Sequence, residues 1–208
     1  VRSATRNSPH LGTVDGPIIL TGLRSSGKSW RSIVSDERLL QSRTFQVVRR
    51  TYSIGERVLS RDVILHPGAV AVVPVLNDGR LCLIRNRRVA VERTLLEIPA
   101  GTLEPGEPPR KTAERELLEE TGYRAGRIEP LVEFFMSPGI LNERMYVFVA
   151  TDLTAEAPQR EAGEEIENVV VPWQELEAML ERGEIEDGKT IAALWTYQRR
   201  YLQRPPAD

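Results

Sequence analysis

Cysteine is almost missing from this chain: Cys82 stands alone among 208 residues. That excludes an intrachain disulfide framework and suits a reducing cytoplasm. Cys82 lies in the apolar run 81–84, which reads as a buried structural thiol rather than a nucleophile. Histidine is nearly as scarce, and neither His10 nor His66 sits in an acid/base constellation. No stretch is long and apolar enough to span a membrane. The N-terminal residues, with Arg2 and Arg6 among polar neighbours, lack the apolar centre of a secretory signal. Positive charge is not in excess either, with 28 Lys and Arg against 30 Asp and Glu, which argues against nucleic acid as the main partner. Internal repeats and low-complexity tracts are also lacking. What remains, 40% hydrophobic over 208 residues, is enough for one globular domain with an appendage.

Turn and strand signals divide the chain. Residues 1–40 read as a polar N-terminal arm followed by a short turn or helix over 30–40. Residues 41–66 read as a small β appendage, with strands over 44–52 and 58–65 around a turn at Gly55. Residues 67–208 form the main domain. Its apolar run 69–76, the turn Asn77-Asp78-Gly79 and the segment 80–85 predict a hairpin of two partner strands. Strands are predicted over 128–136, 144–150 and 169–171, a long acidic loop over 154–165, and helices over 173–182 and 190–202.

The densest chemical signal is the stretch 101–123. It reads Gly-x5-Glu-x7-Arg-Glu-apolar-x-Glu-Glu-x-Gly, with Glu107, Arg115, Glu116, Glu119, Glu120 and Gly122 at its fixed points. Pro108 and Pro109 suit a first helical turn, 111–120 holds good helix formers, and Gly122 is a natural stop. On a helix, Glu116, Glu119 and Glu120 share one face at i, i+3 and i+4, where they repel one another. A hard, oxygen-preferring cation such as Mg²⁺ or Mn²⁺ would relieve that repulsion. For the bare acidic triplet, a solvated helix face is the competing interpretation.

A second motif lies upstream. Gly22 to Ser29 matches the phosphate-binding pattern GxxxxGK[ST] after a short apolar run. A nucleotide-binding loop of that kind needs a parallel sheet built from βαβ units of about thirty residues, whereas about fifteen separate Ser29 from the next strand signal. The segment is read as a Gly/Ser/Lys loop.

The whole 101–123 pattern resembles the signature of the Nudix hydrolases, departing only at Tyr123, where that family usually carries an aliphatic residue. The resemblance implies an α/β fold, an α/β/α sandwich with a mixed sheet, here preceded by the β appendage. It implies metal binding by Glu116, Glu119 and Glu120, with Arg115 as the partner that holds a glutamate in place. Glu97-Ile98-Pro99-Ala100-Gly101 resembles the entry typical of the ADP-ribose pyrophosphatase branch, in which the Ala100 carbonyl completes the metal shell. Pro138, sixteen residues beyond Gly122, has that branch's spacing, and Glu143 corresponds to a residue contacting substrate or its support. Arg85-Asn86-Arg87-Arg88 is similar to the branch's RQxR segment, which makes Arg88 the diphosphate-binding arginine; Arg61 is a weaker second phosphate contact.

The general base in the branch comes from an acidic loop, here 160–167, with Glu164 favoured over Glu161 and Glu165. The implied activity is metal-dependent hydrolysis of ADP-ribose to AMP and ribose 5-phosphate by a cytoplasmic homodimer whose appendages are exchanged. The alternatives are hydrolysis of another nucleoside diphosphate sugar such as GDP-mannose, and an ADP-ribose sensor without turnover.

Overall fold

The computed structural model describes residues 30–158 and 165–203. Three antiparallel strands come first: β1 (Trp30–Gln41), β2 (Gln46–Ile54) and β3 (Arg57–Leu65), in the order β1-β2-β3. They form the expected appendage, but it begins earlier than the sequence suggested. Where a turn or helix was expected over 30–40, the chain is β1. The physical reason is irregular register: shifts at Trp30/Ile33, Ile33/Ser35 and Arg38/Leu40 break the two-residue alternation that marks a strand. Pairing with β2 fixes the strand instead, aided by Arg50, which donates from Nε and Nη2 to Asp36 at 2.9 and 2.7 Å.

The main domain opens with β4 (Ala69–Pro74), all six of whose residues are buried. A tight turn leads to β5 (Leu81–Arg88), then β6 (Arg93–Glu97), β7 (Ala100–Thr102) and helix α1 (Pro109–Thr121). Strands β8 (Tyr123–Phe135), β9 (Arg144–Ala155) and β10 (Ile166–Val171) follow, with helices α2 (Trp173–Glu181) and α3 (Gly188–Tyr197) closing the fold. One sheet has the order β7-β4-β9-β8, with β4 and β9 parallel; the other has the order β10-β5-β6 and is antiparallel.

The predicted 77–79 turn forms, with the Gly79 amide donating to the Leu76 carbonyl at 2.8 Å, but β4 and β5 are not the partner strands expected of a hairpin. Between them there is a single bridge, Val75–Leu81, beside the turn, where the Leu76 amide also donates to the Arg80 carbonyl at 2.8 Å. Both edges of β4 are taken by β7 and β9, and both edges of β5 by β10 and β6.

Alternation along β4 builds a core on each face. Val70 and Val72 pack in one cluster with Ala113 and Leu117 of α1. Ala71 and Val73 pack in the other with Leu176 of α2 and Ala193 and Leu194 of α3. Each fully buried leucine contributes about 1.5–3 kcal/mol; Leu117 fixes α1 to one face of the sheet, and Leu176 and Leu194 fix α2 and α3 to the other. The result is the expected α/β/α sandwich with a mixed sheet. No helix among the described residues is long and apolar enough to cross a membrane.

Candidate active site

Helix α1 starts at Pro109, whose ring presets the helical φ, and stops at Gly122, which takes φ 74° and donates its amide to the Leu118 carbonyl. A Cβ at Gly122 would lie 2.7 Å from the Glu156 carbonyl, so a side chain is excluded there by space as well as by conformation. Between these stops Ala113 and Leu117 face the sheet, which turns Glu116, Glu119 and Glu120 towards β7 and the cleft beside it.

The three carboxylates are held in different ways. Glu120 is buried, and its Oε2 accepts the Ala100 amide at 2.8 Å. Glu116 lies against the backbone of β7: a Cβ added to Gly101 would come within 2.0 Å of its carboxyl carbon, so only glycine leaves room there. Glu119 reaches Arg115, whose Nη1 is 2.8 Å from Glu119 Oε2 and also 2.8 Å from Glu116 Oε1. Arg115 Nη2 lies 3.4 Å from Glu107 Oε2, which also accepts from Thr112 Oγ1 at 2.8 Å. Glu107 therefore pins the loop that enters α1. Partial burial of Arg115 works against its charge, but Glu116, Glu119 and Glu107 outweigh it and push its pKa up.

Among the described residues, no three or more His, Cys, Asp or Glu side chains converge on one ion-sized position. The convergence that exists is of Glu116 and Glu119 on one cationic nitrogen. An all-oxygen, multiply anionic donor set of this kind fits a hard divalent cation, and an arginine nitrogen stands where positive charge is favoured.

The cleft beside this helix measures about 1020 Å³, and its lining includes Glu116, Glu119, Arg88, His66, Phe45 and Arg43. Arg88 grips Glu97 through Nε and Nη2 at 2.7 and 2.6 Å. That bidentate bond raises the Arg88 pKa against the cost of its burial, and Glu120 adds to the rise. Ala100 also lines the cleft.

Other expected residues lie elsewhere. Arg61 is exposed on β3, opposite Arg50, and does not line the cleft. Glu143 does not line it either; its Oε1 is 3.9 Å from Nδ1 of His66, which accepts the Gly68 amide at 3.1 Å. The Ser137-Pro138-Gly139 turn ties the appendage to the domain: Ile64 donates to the Ile140 carbonyl at 2.8 Å, and Asn142 donates to that of Ile64 at 3.2 Å. Glu161 and Glu164 lie outside the described residues, as does the Gly22 to Ser29 segment; Glu165 is exposed just before β10. Cys82 is buried, and desolvation pushes its thiol up to about 11, which fits a structural thiol.

Sequence reasoning missed two residues of the cleft and one buried behind it. Arg43 and Phe45 enter from the β1–β2 turn, where no motif marks them. Glu97 was noted only as part of the entry motif, yet it is fully buried between Arg88 and Lys189. A charged residue inside the apolar run 95–98 was the available signal, because buried carboxylates require partners.

The family model described as NUDIX domain matches residues 65–194. The chain is 40% identical over 145 residues to "ADP-ribose pyrophosphatase" of Bacillus subtilis (strain 168), covering 69% of this chain and 76% of that protein. It is 30% identical over 183 residues to "GDP-mannose pyrophosphatase" of Enterobacter sp. (strain 638), covering 82% and 91%. A solved structure, "Crystal structure of ADP compounds hydrolase", superposes with a TM-score of 0.74 at 27% identity, covering 84% of this chain and 96% of that one. With its signature helix, sandwich core and domain match in agreement, this chain belongs to the Nudix family.

Proposed function

We propose that the cleft hydrolyses the diphosphate bond of ADP-ribose, using Mg²⁺ or Mn²⁺, to AMP and ribose 5-phosphate. The observation that carries this reading is one cleft lined by Glu116 and Glu119, with Glu120 buried beside them on the Ala100 amide, together with Arg88, a permanently charged fork suited to phosphate. Glu116, Glu119, Glu120 and the Ala100 carbonyl would hold the divalent cation. Its chemistry is to neutralise the polyanionic diphosphate and activate water for attack on phosphorus.

The chain's own groups do the rest. Gly101 keeps the space in which the Glu116 carboxylate lies. Arg115 restrains Glu116 and Glu119, and Arg88 binds a diphosphate oxygen. Phe45 offers an aromatic face to the nucleobase, with Arg43 beside it. A carboxylate of the 161–165 segment, Glu164 by preference, takes the proton of the attacking water as the P–O bond breaks. Arg61 and Glu143 act, in this reading, from a neighbouring subunit and through His66 respectively.

A dimer fits the appendage. Ile33, Val34, Val58 and Leu59 are exposed on it, an apolar surface that a second copy would cover. The single free cysteine fits a cytoplasmic setting. The resemblance to a GDP-mannose pyrophosphatase over a larger share of this chain keeps that sugar nucleotide as the second substrate to try.

The test is purified protein with Mg²⁺ against ADP-ribose, GDP-mannose, NADH, diadenosine polyphosphates and ATP, with light scattering for mass. AMP release with ADP-ribose as the preferred substrate supports the reading, and GDP-mannose preference would replace it. Tight ADP-ribose binding without turnover of any diphosphate would make the protein a sensor.

A further inference from the structure

Behind Arg88 lies a buried ion-pair chain that the proposed chemistry leaves unexplained. Glu97 is fully buried on β6 and takes the Nε and Nη2 edge of Arg88 at 2.7 and 2.6 Å. Its Oε2 is also bonded to the Nζ of Lys189, a buried residue 92 positions away on α3. Lys189 continues to Asp187 Oδ2 at 3.0 Å, and Asp187 caps α3 by accepting the Thr190 amide at 3.0 Å. Thr190 Oγ1 donates to Asp187 Oδ2 at 2.5 Å and accepts the Ile98 amide at 3.0 Å, fastening the helix start to the chain that enters β7.

We propose that Lys189 is a positioning residue for diphosphate binding: its ammonium holds the buried Glu97 carboxylate so that Arg88 presents its remaining guanidinium edge to the cleft. A carboxylate buried with Arg88 as its sole counter-ion would draw that guanidinium in and cancel its charge. A second cation shares the carboxylate and leaves Arg88 with attraction to spare for an anion. The exposure of the two ends agrees with this division of work. The Arg88 side chain keeps 39% exposure and lines the cleft, whereas that of Lys189 keeps 8% and does not. Geometry adds to charge, because two bonds from one edge of Arg88 to an anchored carboxylate leave its plane little freedom.

The inference rests on Arg88 being the diphosphate contact, and its test does not need turnover. Calorimetric titration of ADP-ribose into protein with EDTA is run on wild type, Arg88→Ala, Lys189→Met and the double variant, each checked for folding by thermal melting. Each single change is expected to raise Kd about tenfold, with the double variant within about twofold of Arg88→Ala, because Lys189 acts through Arg88. If Lys189→Met fails to fold, Lys189→Gln, which retains a donor to Glu97, takes its place in the cycle. A double variant about a hundredfold weaker than wild type, an unchanged Kd in the Lys189 variant, or no binding by wild type would each overturn the proposal. A protein that shows the coupling yet turns over no diphosphate would refute the hydrolase reading alone.

Discussion

The two charged groups that border the cleft are built on opposite plans. On α1 and the loop before it, Glu107, Glu116 and Glu119 gather on Arg115, with Glu120 beside them on the Ala100 amide, so among the described residues carboxylate outnumbers cation here, and most of these side chains are only partly buried. Behind β5, Glu97 and Asp187 are matched by Arg88 and Lys189, and the central carboxylate is out of reach of water. An acidic excess beside a cleft costs stability unless further positive charge arrives, which is what a cation-dependent site requires. A matched buried set needs no added ion for its own stability and can hold Arg88 at the cleft, though losing either partner strands a charge. In the proposed reaction the unbalanced group would serve to break the bond and the balanced group to hold the substrate.

Substitutions can break or sharpen that division. Glu120→Gln should have the largest effect, lowering kcat on the order of a hundredfold or more in a steady-state AMP-release assay while ADP-ribose binding persists. Gly101→Ala is next. Its new Cβ displaces the Glu116 carboxylate, the far end of a flexible side chain, so kcat should fall about tenfold to a hundredfold. Its melting midpoint should stay within about 5 °C of wild type. Phe45→Ala should act on the holding side, raising KM about tenfold with kcat little changed. The smallest effect is expected for Arg124→Ala, which removes an exposed pair with Glu156 outside the cleft lining: kcat and KM should be unchanged and the melting midpoint should move by about 2 °C at most. A kcat loss in Phe45→Ala as large as that of Glu120→Gln would erase the division between breaking the bond and holding the substrate.

The acidic group was readable in the sequence because it is local. Helical spacing alone brings Glu116, Glu119 and Glu120 to one face, and the glycine that admits Glu116 sits at a fixed distance before them. Of the balanced group Arg88 was readable by its motif but its buried partners were not, because Glu97 and Lys189 meet only after α3 has packed on the sheet, and no periodicity links residues so far apart. The strands divide in the same way. The 77–79 turn was legible from its residues, but the partners of β4 and β5 are set by distant strands that a turn signal does not encode. Irregular register hid β1. Arg43 and Phe45 reach the cleft through the placement of the whole appendage, which the bonds between Ile64 and the 140–142 segment fix.

The most direct test of the account is AMP release from ADP-ribose in the presence of Mg²⁺, measured side by side for wild type and Glu120→Gln. The account predicts turnover by wild type and loss of it in the variant, with the variant still binding ADP-ribose. AMP release by Glu120→Gln at the wild-type rate, or none by wild type, would contradict it.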